Sequence, residues 1–274
     1  MEQTDSLKDV LQFYADAGVD IALDETPHDR LAAPPQLSRT GSSVADAQPS
    51  AVRSTASAPA PGFSETKPHE VNVQEARDRA ASANSLDELM ALLVSYEGCG
   101  LKRTATNTVF EDGNREAKIM LVGEAPGRDE DLQGKPFVGR SGQFLDRMLN
   151  AAGFDRSNVY IGNIVAWRPP GNRTPTTAEM ELCKPFITRQ IELKKPELLV
   201  FLGASSAKNM LESSDGILKL RGKWRSYSSA EIPVLPMLHP AYLLRQPAQK
   251  RLAWRDWLSL RKAAIDKAIL SPDA

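Results

Sequence analysis

The stretch Ile119–Arg140, IMLVGEAPGRDEDLQGKPFVGR, decides how the rest of the chain is read. Ile119–Val122 is too short and too evenly apolar to be one face of an amphipathic helix, and Gly123 follows at once, so it reads as a buried strand entering a tight turn. Gly123, Pro126 and Gly127 read as residues that fix unusual backbone angles and let a ligand approach the main chain. Glu124 is then presented at the carboxyl end of the strand, where open α/β sheets bind ligands. Phe137 stands on no periodic apolar face and reads as an exposed ring offered to a flat ligand.

Working outward, Asn158–Val165, Glu197–Leu202 and Ile232–Leu238 read as further short strands rich in β-branched or aliphatic residues. Between them, Gln143–Ala152 places Phe144, Leu145, Met148, Leu149 and Ala152 on one helical face and stops at Gly153. Thr176 and Glu179 form a capping box for a helix running toward Lys194, and Ser205–Leu211 and Gln249–Leu270 supply two more helices. A helical pattern from Val73 to Val94 precedes them. Strand alternating with helix predicts an α/β fold with a parallel sheet covered on both faces.

The 274 residues, 41% hydrophobic, suffice for one α/β domain plus less ordered chain. Residues 1–85 carry 7 basic and 13 acidic side chains out of totals of 34 and 35, which leaves 27 basic and 22 acidic for residues 86–274. The larger part is therefore net positive, as a core that meets phosphate would be. Two cysteines, Cys99 and Cys183, make no disulfide framework, and the acidic start MEQTDSLKD has no apolar leader core. No apolar run is long enough to span a bilayer, so the expectation is a cytoplasmic protein without a membrane partner.

Residues 1–25 read as a short amphipathic helix built on Leu7, Val10, Leu11 and Tyr14. It reads equally as a docking segment for a protein partner and as a helix that packs on its own domain. Residues 26–70, dominated by Pro, Ala and Ser, hold too few large apolar side chains to offset ordering entropy and read as a disordered linker. Residues 71–270 form the folded domain.

Glu124 and His239 follow predicted strands and Asn163 lies near the end of one, so all three can meet at one sheet edge. A carboxylate, an amide and an imidazole around a stacking ring can read and activate a nucleobase. Taken singly, each has an ordinary structural reading, although His239 is the only histidine in residues 86–274. Neither a GxGxxG turn nor a phosphate loop follows the first strand, which argues against a Rossmann-type nucleotide enzyme.

Together the segments GEAPGRDEDLQGKPFVGRSGQFLD, YIGNIVAWRPPGNRTPT, LKLRGKW and HPAYLLRQP resemble the family 4 uracil-DNA glycosylases over about residues 90–260. The resemblance implies a three-layer α/β/α fold around a four-stranded parallel sheet. It also implies base excision repair chemistry: hydrolysis of the N-glycosidic bond of deoxyuridine in DNA, leaving an abasic site. By position, Glu124 resembles the water-orienting carboxylate, Phe137 the ring that stacks on uracil, Asn163 the amide that pairs with its edge, and His239 the donor to uracil O2. Gly123 belongs to the same substrate pocket, and Glu130 resembles the residue that crowds the C5 edge, where thymine carries its methyl. Tyr242, Leu243, Leu244 and Arg245 resemble the wedge that fills the space of the flipped nucleotide, with Arg168 and Arg173 of RPPGNR as further DNA contacts.

One departure stands out. The family typically holds an iron-sulfur cluster on four cysteines, and here the corresponding positions are Tyr96, Cys99, Trp167 and Cys183. Two ligands are missing, so no 4Fe-4S cluster, other metal or further cofactor is expected, and the four residues are expected to pack as one cluster that fills the vacated volume. With no lysine placed for Schiff-base chemistry and no basic insertion of the kind found in relatives that bond covalently to DNA, simple hydrolysis by a monomer on uracil-containing DNA is expected. The rival reading is a non-catalytic binder of nucleotides or damaged DNA that retains the pocket.

Overall fold

The computed structural model describes residues 73–228 and 231–272. The expected N-terminal helix and linker, residues 1–70, lie outside the described residues. The described chain begins with two helices, α1 (Val73–Ala81) and α2 (Leu86–Val94), where the sequence pattern suggested one continuous stretch. The break comes from Ser85, whose hydroxyl accepts the Glu88 amide at 3.1 Å, while the Glu88 carboxylate accepts the Asn84 amide at 2.7 Å. This reciprocal cap starts a new helix rather than continuing the old one.

Strand β1 (Asp112–Gly113) leads to β2 (Ile119–Gly123), α3 (Arg128–Gln133), α4 (Arg140–Ala151) and β3 (Val159–Asn163). Helix α5 (Thr177–Lys194) begins at the expected capping box, with Thr176 Oγ1 and the Glu179 carboxylate each accepting the other residue's amide. Then come β4 (Leu198–Leu202), α6 (Ala204–Leu211), α7 (Ile217–Leu220), β5 (Arg225–Tyr227), β6 (Ile232–Met237), α8 (Pro240–Arg245) and α9 (Lys250–Asp266).

The sheet order is β1-β3-β2-β4-β6-β5. The four inner strands are parallel, as expected, and two short edge strands add antiparallel pairs that the sequence did not announce. Alternate residues of the inner strands feed two separate cores, because successive side chains point to opposite faces. Met120, Val122, Tyr160, Leu199 and Phe201 pack beneath α1, α2, α5 and α6. Ile119, Leu121, Ile161, Val200 and Leu235 pack against Leu145 and Leu149 of α4 and Trp257 and Leu260 of α9. Both faces are thus buried, which is why these strands read as unbroken apolar runs.

The chain starts its parallel sheet in the middle. From β2 it moves to β3 on one side and then crosses to β4 on the other. That reversal opens a crevice outside the carboxyl ends of the strands, the place where open α/β sheets hold ligands.

Candidate active site

The crevice is a cleft of about 590 Å³. Glu124, Glu130, Phe137, Asn163 and His239 all line it, so residues more than a hundred positions apart meet as expected. Glu124, Asn163 and His239 owe their places to strand ends, while Glu130 comes from α3 and Phe137 from the loop before α4. Gly123 pairs with Asn163 across the β2–β3 register, and the ladder continues past it, with the Val165 amide donating to Glu124 O at 3.0 Å.

Gly123 serves a different purpose from the one expected. It is absent from the positive-φ residues, as is Gly127, so neither is needed for an unusual backbone angle. A Cβ at 123 would instead overlap Asn163 Oδ1 and stand 2.7 Å from the Phe137 ring. The missing side chain is what lets the amide and the ring close over the strand end. Phe137 also departs from expectation: it is 4% exposed, so it shows the cleft only part of its ring. Its backbone is left-handed, at φ 56°, a conformation a bulky residue rarely adopts unaided. Two neighbours hold it there. Gly142 leaves room for the Phe137 carbonyl, and Arg156, anchored on Asp112 and Asp146, donates to that same oxygen.

Glu130 is buried, and its carboxylate accepts the amides of Gly127 (3.1 Å), Val138 (3.0 Å) and Gly139 (2.9 Å). It stitches the turn after β2 to the start of α4 and so frames the cleft as a fixed wall. Asn163 is buried but lines the cleft, where its side-chain amide can offer a ligand both donor and acceptor.

His239 caps α8: its Nδ1 accepts the Ala241 amide at 3.1 Å. An imidazole that accepts at Nδ1 carries its proton on Nε2, so the ring is a neutral donor of one fixed tautomer. Burial, with the nearby Arg245 charge, pulls its pKa down to about 4, which keeps it neutral in ordinary buffers. The His239 and Phe137 rings stand 5.6 Å apart at 32°. Burial also raises the Glu124 carboxyl above its usual range, opposed by a hydrogen bond from the Ser205 hydroxyl.

Ser205 was not singled out by the sequence reading. It lies in the first turn of α6, held to the site from two sides: Ser206 Oγ donates to Val122 O at 2.8 Å, and Gly203, at φ 97°, faces His239 so closely that a Cβ would lie 3.0 Å from the His239 Cβ. The signal, GASS directly after a buried strand, gains meaning only once β4 is known to lie beside β2.

The DNA-facing residues divide. Tyr242 and Arg245 line the cleft with Arg173, whose guanidinium is paired bidentately with Glu179 at 2.7 and 2.8 Å. Arg168 stands outside the cleft lining and donates to Asn172 Oδ1 at 2.7 Å. Leu244 is half-buried. Leu243 is the exception, at 0% exposure in a small core with Leu238 and Ala253, because it faces inward on a helix whose other side faces the cleft.

Residues 110–258 match the profile of the Uracil DNA glycosylase superfamily. The chain belongs to this superfamily. Among curated relatives, it is 39% identical over 190 residues to the type-4 uracil-DNA glycosylase of Sulfurisphaera tokodaii, covering 66% of this chain and 86% of that one. It is 40% identical over 169 residues to the type-4 enzyme of Archaeoglobus fulgidus (60% and 85% covered), and 42% identical over 148 residues to that of Thermotoga maritima (54% and 77% covered).

In this glycosylase-family chain Tyr96, Cys99, Trp167 and Cys183, the positions expected to correspond to cluster ligands, come together in one buried core, each being 1% exposed. They do not fit a cluster that takes four thiolates. The Cys99 and Cys183 thiols are free and hydrogen-bonded to each other, and that bond together with burial holds Cys183 well above the usual thiol range. The Tyr96 phenol is pushed up to about 12, chiefly by burial, and its ring packs 5.1 Å from Phe186. Trp167 Nε1 donates to Thr108 Oγ1 at 3.1 Å.

Proposed function

We propose that this chain is a monofunctional uracil-DNA glycosylase that hydrolyses the N-glycosidic bond of deoxyuridine in DNA and leaves an abasic site. The observation that carries the reading is the meeting of Glu124, Phe137, Asn163 and His239 in one cleft, with His239 fixed as a neutral Nε2–H donor. An extruded uracil enters the cleft and stacks on Phe137. The Asn163 amide accepts from uracil N3–H and donates to O4, a complementary pair of bonds. The framed carboxylate of Glu130 stands where the methyl of thymine would need room.

As the C1′–N1 bond breaks, its electron pair moves onto the departing base, and the His239 Nε2–H bond to O2 strengthens as that charge grows. A neutral donor stabilises the anion without having to give up a proton. Positive charge appears meanwhile on the sugar, facing Glu124, and water adds to C1′ as Glu124 takes its proton. A carboxylate whose pKa is raised by burial is the better base for that step. A protein that only held the base would need Phe137 and Asn163 but not this pairing of Glu124 with His239, which disfavours the binding-only reading.

Tyr242, Leu244, Arg245 and Arg173 meet the duplex at the mouth of the cleft, while Leu243 supports them from the core. No cofactor enters any step, and the core of Tyr96, Cys99, Trp167 and Cys183 is proposed to be held by packing rather than by iron. Among the described residues no helix is long and apolar enough to cross a membrane, and the protein is proposed to act as a cytoplasmic monomer on DNA. Glu124→Ala and His239→Ala should each lower single-turnover excision of uracil by about two to four orders of magnitude, the range for lost acid-base or oxyanion-type groups. Wild-type rates in either variant would refute the roles given to these residues.

A further inference from the structure

Beyond the cleft, the helices at its mouth carry cations, Arg147, Arg245 and Lys250, that no acid pairs with among the described residues. Ser141 at the start of α4 and Tyr242 and Arg245 on α8 line the cleft. One turn along α4, Phe144 packs on the same small core of Leu238, Leu243 and Ala253 as Tyr242 does. Two cations share its ring: Lys250 Nζ lies 4.9 Å and Arg147 Cζ 5.5 Å from the centroid. The acids of α4 and α9 are already committed, Asp146 to Arg156, Asp256 to Arg221 and Asp266 to Lys262, and α8 has none. Two like charges held on one ring without a counter-ion repel each other, and an anion between them would relieve that cost.

From these contacts we infer that Phe144, Arg147 and Lys250 continue from Arg245 as a track for the DNA phosphate backbone. Arg147 lies six residues along α4 from Ser141, about 9 Å at the helical rise. That corresponds to about two to three nucleotides beyond the extruded one at the rise of a stacked strand. Phe144 is the platform: its ring props both charged heads outward so that they meet phosphate rather than fold onto the protein. The track reads no base. It fixes the register of the duplex so that the wedge side chains arrive at the right step.

This inference rests on the proposal that DNA is the substrate, and the test separates the two. The full-length protein and an Arg147→Gln/Lys250→Gln variant are compared for binding to an undamaged duplex across a salt series, and for excision from a uracil-containing duplex and from a trinucleotide with central deoxyuridine. The variant should lose about 1.8 from the slope of log affinity against log salt, at about 0.9 per phosphate contact. It should excise from the duplex about tenfold more slowly at subsaturating enzyme while matching wild type on the trinucleotide. A Lys262→Gln control, which removes a cation paired with Asp266, should keep the wild-type slope. An unchanged slope in the double variant, or an equal loss on the trinucleotide, overturns the track. Wild-type protein that excises from neither substrate refutes the glycosylase reading instead, while the slopes still report on the track.

Discussion

In the proposed reaction His239 and Glu124 divide the chemistry because their surroundings push their pKa values in opposite directions. The imidazole is kept neutral by burial and by Arg245, so it supplies a hydrogen bond and contributes no ionisation between about pH 5 and 8. In that reaction the carboxylate has to be ionised to act, and burial raises its pKa, so the acid limb of the rate profile should belong to Glu124. Ser205 opposes that rise by bonding the charged form. Ser205→Ala should therefore move the acid limb of kcat to higher pH by about one unit, lowering the rate by up to about tenfold on the acid side of the limb and leaving the plateau and KM little changed. Ser205→Thr, which keeps the hydroxyl, should restore the wild-type limb. A limb that stays in place in Ser205→Ala would show that the hydroxyl does not tune Glu124.

The four parallel strands were legible to within a residue or so at most of their ends because each is short, apolar on both faces and bounded by a turn residue or a charge. The edge strands Asp112–Gly113 and Arg225–Tyr227 were not, since their pairing is dictated by the neighbouring strand rather than by any pattern of their own. The break between α1 and α2 could have been found from Ser85 and Glu88, a capping signal embedded in a longer apolar periodicity. At the site, Glu124, Asn163 and His239 were legible from their places at or near strand ends, whereas nothing local in the sequence showed that the Phe137 ring would be almost fully buried. The burial of Leu243 was not legible either, because an apolar residue in a short helix gives no sign of which way it faces. The core of Tyr96, Trp167 and the two thiols carries its own test. Purified protein should contain neither iron nor acid-labile sulfide, and Cys99→Ser/Cys183→Ser should retain wild-type excision, whereas Trp167→Ala should cost about 3–5 kcal/mol by the usual loss for a buried large aromatic. Stoichiometric iron, or loss of activity on chelation, would contradict this.

The architecture joins these parts into one function. A chain that winds from β2 to β3 on one side and then to β4 on the other opens a cleft at the carboxyl ends of parallel strands; strand ends deliver an acid, an amide and an imidazole into it, and the loop before α4 adds the Phe137 ring. Residues 86–274 carry an excess of basic side chains, as suits a polyanionic substrate, and Arg245, Arg147 and Lys250 are the ones proposed to meet it at the mouth. No step requires a second copy of the chain, so light scattering in dilute solution should return a mass near the 30.0 kDa of one chain, and a stable dimer would contradict this. The most direct measurement is of the products formed from a duplex with one deoxyuridine, followed by chromatography for the free base and by electrophoresis with and without alkali. Free uracil should appear in equal amount to alkali-labile sites, with the strand intact until alkali is added. No free uracil, or a strand already cut before alkali treatment, would contradict hydrolysis of the glycosidic bond by this pocket.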